Sequence, residues 1–126
     1  MKIAEFARAA GLSTDTARCY ERIGLLPRPP RDGSGHRDYD PKDLIWTTFL
    51  DRLKTTGMPI REMLRYARLR ALGPRTETER HELLVAHRAG LLLHIAALSD
   101  CVGVLDAKIA TYAKIETSPA KGNLDD

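Results

Sequence analysis

Between Thr76 and Ile115 the chain contains no proline, and its only glycines there are Gly90 and Gly103. A stretch of that length without a helix breaker predicts a single helix of roughly 40 residues, about 60 Å long. Within it Leu84, Leu91, Ile95, Leu98, Val102, Leu105, Ile109 and Tyr112 recur, from Leu91 onward in alternating steps of four and three residues, which is the seam of a coiled coil. A chain of 126 residues has too little core to bury such a helix alone. Pairing with the same helix of a second copy covers the seam, so a two-fold homodimer is expected. β-Branched residues alternating with Leu favour two strands, while the spacing leaves parallel and antiparallel pairing both open. The residues after it, 117–126, are polar and rich in small side chains and are expected to form a flexible tail.

Upstream, Ile3 to Ala10 reads as a short helix, Gly11-Leu12-Ser13 as a turn, Thr14 to Arg22 as a second helix, and Pro27 to Tyr39 as a basic hairpin bounded by Pro, Gly and Asp. A helix-turn-helix followed by a basic wing is a device for setting one helix into a DNA groove with a loop over the neighbouring backbone. Pro41-Lys42-Asp43 then opens a third helix with Asp40 as its N-cap. Its apolar positions are Leu44, Ile45, Phe49, Leu50 and Leu53, and Gly57 ends it. Pro59 starts a fourth, with Ile60, Met63, Leu64, Ala67 and Leu69 on its apolar face, stopping near Leu72-Gly73-Pro74. The expected division is a winged head over 1–75 (wing 27–40, helical hairpin 41–73), a dimerisation helix over 76–116 and the tail.

Charge follows this division. Residues 1–75 hold 15 Lys and Arg against 9 Asp and Glu, net +6, whereas residues 76–126 hold 5 against 8, net −3. The basic excess lies where phosphate neutralisation would supply affinity for double-stranded DNA. With 43% hydrophobic and 29% charged residues the composition is that of a soluble domain. No apolar run is expected to reach bilayer length, so no membrane partner is foreseen. Lys2 is followed by no apolar signal core, and Cys19 and Cys101 lack metal-type spacing, so a reducing cytoplasm is expected. No paired carboxylates, Gly-rich phosphate loop or nucleophile elbow stands out, which argues against an enzyme and against a cofactor.

Three motifs in this order carry a family resemblance: Ile3-Ala4-Glu5-Phe6-Ala7, Ala17-Arg18-Cys19-Tyr20-Glu21-Arg22-Ile23-Gly24-Leu25-Leu26-Pro27, and Gly35-His36-Arg37-Asp38-Tyr39-Asp40. The chain resembles the MerR family of transcriptional regulators over nearly its whole length. Leu53 to Pro59 and Leu105 to Tyr112 look more like the aldehyde- and thiol-stress branch, the NmlR- and AdhR-like regulators, than like the metal sensors. The resemblance implies a mainly α fold: a winged helix-turn-helix head, a helical hairpin and a long C-terminal dimerisation helix, paired as an antiparallel coiled coil. It further implies a dimer on a pseudo-palindromic promoter operator that acts on RNA polymerase indirectly by distorting the promoter spacer.

Site residues follow from chemistry and from matching positions. Ser13, as N-cap, with Thr14 and Thr16, lies at the helix end that attracts phosphate. Arg18 is placed to reach a base edge or a phosphate. The resemblance assigns Tyr20, Arg37 and Tyr39 to backbone contact, and Gly35 permits the tight wing turn. Arg28 and Arg31 extend the basic rim, and Lys54 and Arg61 are candidates for a flanking contact. Each has a plainer reading: Ser13 as cap only, Tyr39 as a hydrophobic plug, and Arg28, Arg31 and Arg61 as solvated charges.

The departures concern sensing. Where the family commonly has two adjacent aromatics after the arginine, the first position here is Cys19, a packing residue or a redox thiol. Leu44 to Thr56 contains no cysteine, so the branch's helix-3 thiol is missing. His87, His94 and Cys101 form a stripe beside the seam, but seven-residue steps separate them by about 10.5 Å, too far for two to chelate one ion. No metal is therefore assigned. Any small effector would need a pocket near the dimer interface or the helical hairpin. The rival reading is a coiled-coil redox or metal sensor or adaptor with degenerate operator binding.

Overall fold

The computed structural model describes residues 1–117; the tail expected over 117–126 lies, Thr117 apart, outside them. The described residues form five α-helices: α1 (Ile3–Ala10), α2 (Thr14–Ile23), α3 (Pro41–Thr55), α4 (Ile60–Ala71) and α5 (Glu77–Thr117), with a 3-10 turn at Pro74–Thr76 before α5. Local chemistry explains their ends. Gly11 closes α1 and Gly24 closes α2 in the left-handed region (φ 74° and 94°), where a side chain would be strained. Asp40 starts α3 by accepting the Lys42 N–H at 2.9 Å, while Asp43 accepts the Asp40 N–H at 3.3 Å.

The chain divides into two compact units, one from Met1 to His87 and a second beginning at Arg88. The first unit takes in the start of α5: Thr76 anchors that start, and Leu83 and Leu84 lean on the head core. The Thr76 hydroxyl donates to the Leu69 and Gly73 carbonyls at 2.6 and 2.9 Å. Leu84, expected in the dimer seam, is partly buried against the head core.

The head core is built from Phe6, Ala17, Leu25, Leu26, Tyr39, Trp46, Leu50, Leu53, Met58 and Met63, with Tyr66 and Ala67. Phe6 of α1 stacks on Tyr39 with ring centroids 4.4 Å apart, which locks the end of the wing to the first helix. On α3 the buried face is Trp46, Thr47, Leu50 and Leu53, and Ile45 is 75% exposed. Leu50 and Leu53 are buried as expected and Leu44 and Phe49 lean on the core, whereas Ile45 faces outward and Trp46 and Thr47 take the interior. Trp46 wins the interior position because its indole N–H finds the Leu25 carbonyl at 2.7 Å, leaving no polar group unpaired.

The wing differs from a hairpin of paired strands: among the described residues it holds a single antiparallel bridge, Arg31 with Arg37. Pro27, Pro29 and Pro30 remove the N–H groups that a longer ladder needs.

From Arg88 onward α5 is helical to Thr117, and its seam residues Ile95, Leu98, Val102, Leu105 and Ile109 are each more than half exposed. Leu93 and Val104, 74% and 70% exposed, lie on roughly the opposite side of the helix from the seam, given about 100° per residue. That extra apolar surface corrects the hydropathy expectation. An 18-residue window in the Pro74–Glu116 helix has a mean hydropathy of 1.6, so by length and composition this one helix is apolar enough to cross a membrane.

Candidate nucleic-acid interface

The reading end of α2 is built by Ser13. Its hydroxyl oxygen accepts the Thr16 N–H at 3.0 Å and its hydroxyl donates to Thr16 Oγ1 at 2.9 Å. The cap leaves the other N–H groups of the first turn, around Thr14, pointing outward at the positive end of the helix dipole. Arg18 follows one turn on, exposed, with Nη1 3.4 Å from Asp15 Oδ1. Side chains 51% and 93% exposed make that pair weak and easily exchanged for another anion. The Tyr20 ring leans on the head core.

Glu21 joins this helix to the wing. Its carboxylate is only 6% exposed and takes the Arg37 Nε–H on both oxygens, at 2.9 and 3.2 Å. The Tyr39 hydroxyl donates to the same carboxylate at 3.1 Å. A buried carboxylate is retained only with such partners. The result is that Arg37 is held by its inner nitrogen, while its terminal nitrogens make no hydrogen bond among the described residues. Burial, then the bond to Glu21, pushes the Tyr39 hydroxyl up to about 12.

The wing tip is closed by Asp32. Its Oδ1 accepts the Ser34 and His36 N–H groups at 2.8 and 3.0 Å, and those two donors hold its carboxyl below the ordinary range. Gly35 turns the chain at φ 80°, and Arg31 Nη1 donates to its carbonyl at 2.8 Å.

These elements enclose two neighbouring concavities. One, of about 290 Å³, is lined by Lys2, Arg18, Arg31, Gly35, His36 and Arg37 with Ile3 and Ala4; no carboxylate lines it. The other, of about 310 Å³, is lined by Glu21, Arg28, Pro29, Arg31 and Arg37. The structure thus gathers Arg18, Gly35 and Arg37 from the expected set, adds the rim residues Arg28 and Arg31, and recruits Lys2. Ser13, Thr14 and Thr16 sit at the α2 start. Tyr39 is 2% exposed and acts through Glu21 from inside. Lys54 and Arg61 are exposed at the α3–α4 turn and line neither concavity.

Sequence reasoning gave no role to Glu21 or to Lys2 in the site. A glutamate three residues after Arg18, on the helix that must face a basic wing, was the available signal for the first. Cys19 is partly buried and its sulfur accepts from Arg22 Nη2 at 3.6 Å, whereas Cys101 is exposed. His87, first of the flank stripe, has Nε2 2.7 Å from Thr56 Oγ1. Among the described residues no group of three or more His, Cys, Asp or Glu is gathered in metal-binding geometry.

Residues 2–39, which include every wing and α2 residue named above, match the MerR family regulatory proteins. An uncharacterized HTH-type transcriptional regulator of Haemophilus influenzae is 36% identical over 88% of this chain and 82% of its own length. The chain belongs to the MerR family. The AdhR transcriptional regulator of Bacillus subtilis is 38% identical over 73% of this MerR chain and 66% of its own. The crystal structure of HiNmlR, a MerR family regulator lacking the sensor domain and bound to promoter DNA, superposes with a TM-score of 0.83 at 34% identity. It covers 92% of each chain. MerR proteins are transcriptional regulators rather than enzymes, and this chain is a MerR-type transcriptional regulator.

Proposed function

We propose that this regulator binds double-stranded promoter DNA as a homodimer, on a pseudo-palindromic operator, and controls transcription by distorting the promoter spacer. The observation that carries the reading is the carboxylate-free concavity between α2 and the wing, with Arg37 aimed by Glu21. A phosphate seated there meets Lys2, Arg18, Arg31 and Arg37, while α2 presents its capped N-terminus to the groove. That HiNmlR, of the same fold, is bound to promoter DNA in its crystal structure supports a promoter-binding role.

The division of labour we assign is a head over 1–75, including the wing 27–40 and the hairpin 41–73, and a dimerisation helix over 76–116. The exposed seam residues from Ile95 to Tyr112 support pairing through α5, antiparallel so that two heads face one side of the duplex. Distortion costs energy that depends on the sequence bent, and RNA polymerase would sense that bend indirectly. A protein working on promoter DNA acts in the cytoplasm.

A gel shift with the chain's own upstream region, across several salt concentrations, tests this. Binding specific to that region, with Arg37→Ala lowering the salt slope by about 1, is expected. Arg18→Ala should weaken specific more than nonspecific binding. Equal, salt-labile binding to every duplex would instead indicate a sensor or adaptor with degenerate operator recognition.

A further inference from the structure

We infer that the α3–α4 hairpin carries a binding site for a small planar anion with an apolar body, such as an aromatic carboxylate. The site is a cavity of about 420 Å³ on the head, within the range of roughly 300–1,000 Å³ typical of small-molecule sites. Its floor is aromatic. Trp46 stacks with Tyr66 at 5.8 Å between centroids, and Phe49 tilts against both at 6.1 and 5.6 Å. Its rim is cationic: Lys42, Arg70 and Arg80 line it and no carboxylate does. None of the three joins an ion pair among the described residues.

The cations are placed rather than merely near. The Arg70 guanidinium carbon lies 4.3 Å from the centre of the Trp46 ring, a cation–π contact that fixes the charge over the ring. Arg80 donates through Nε to Thr76 Oγ1 at 3.1 Å and through Nη2 to the Gly73 carbonyl at 3.2 Å. Asp43, the nearby acid on α3, accepts the Asp40 N–H and feels the charge of Arg70 without coming to ion-pair distance. An inorganic anion would satisfy the rim and leave the rings unused, and a neutral aromatic would do the reverse. A planar apolar anion satisfies both.

The site also has a route to the reader. Trp46 Nε1–H donates to the carbonyl of Leu25, just beyond the end of α2. A ligand whose affinity differs between two settings of Trp46 shifts the position of that helix end. The site stands independently of the DNA reading, since none of its residues lines the concavities beside α2.

Trp46 is the sole tryptophan, so the full chain's indole emission comes from the floor of this cavity. Titration with naphthoate is expected to change that emission saturably. The affinity should fall about tenfold for neutral naphthamide, and likewise for naphthoate on Arg70→Gln and on Lys42→Gln, each loss being one charge-assisted contact. Lys42 is exposed, so its variant tests the charge without disturbing packing, and circular dichroism melts check both folds. Equal affinity for naphthamide overturns the proposal. So does competition by inorganic phosphate at naphthoate's own potency, or an emission change that tracks protein concentration alone, which would mean that a second copy covers the face.

Discussion

The Glu21 carboxylate is the residue on which the interface turns, because it sits between a cation that must point outward and a phenol that must stay inside. Its charge stabilises Arg37 and, together with burial, keeps Tyr39 protonated to about 12 instead of 10. A phenol whose folded value is raised contributes stability that is complete below pH 10 and is lost as pH rises from there through about 12. Ultraviolet titration should therefore show one tyrosinate transition near pH 12, absent in Tyr39→Phe and moved down in Glu21→Gln. A Glu21→Gln protein whose late transition stays in place would show that burial alone sets it. Arg37 and Tyr39 were legible in the wing motif Gly35-His36-Arg37-Asp38-Tyr39, whereas Glu21 stood in the α2 motif without a role. Their pairing was not legible, because it depends on the wing folding back across residues separated by 16 positions.

At the scale of elements, local signals carried most of the reading. Ser13, Asp40 and Gly57 mark helix ends because capping and positive-φ positions depend on a few adjacent residues. Ser13→Ala should destabilise the head by about 1 kcal/mol in urea unfolding, since the Thr16 N–H loses its acceptor. Ser13→Asp should restore that stability, because Asp is an equally good cap, yet weaken DNA binding by setting a negative charge at the phosphate-facing end of α2. Restored stability with unchanged DNA affinity would remove Ser13 from the interface. On α3 one expected position, Ile45, faces outward while Trp46 goes inside, because choosing between them needs knowledge of the Leu25 carbonyl across the core.

For the whole molecule the decisive quantity is apolar surface that one chain leaves uncovered. Leu98, half exposed on α5, is a seam position, and Leu98→Asp would set a charge into a pairing seam. Sedimentation should find monomers of that variant, with weak operator binding, because two linked heads bind far better than one. An intact Leu98→Asp dimer would place the partner contact elsewhere, with Leu93 and Val104 on the other face of α5 as the next surface to test.

The chain's linear order was enough to fix the helices, the basic head and the long apolar helix, since periodicity, caps and breakers are properties of neighbours. Folding settled which side chains meet: Glu21 with Arg37, Trp46 with Leu25, and Phe6 with Tyr39. Those meetings join residues far apart in sequence, and burial, which sets their strength, exists only once the elements have packed.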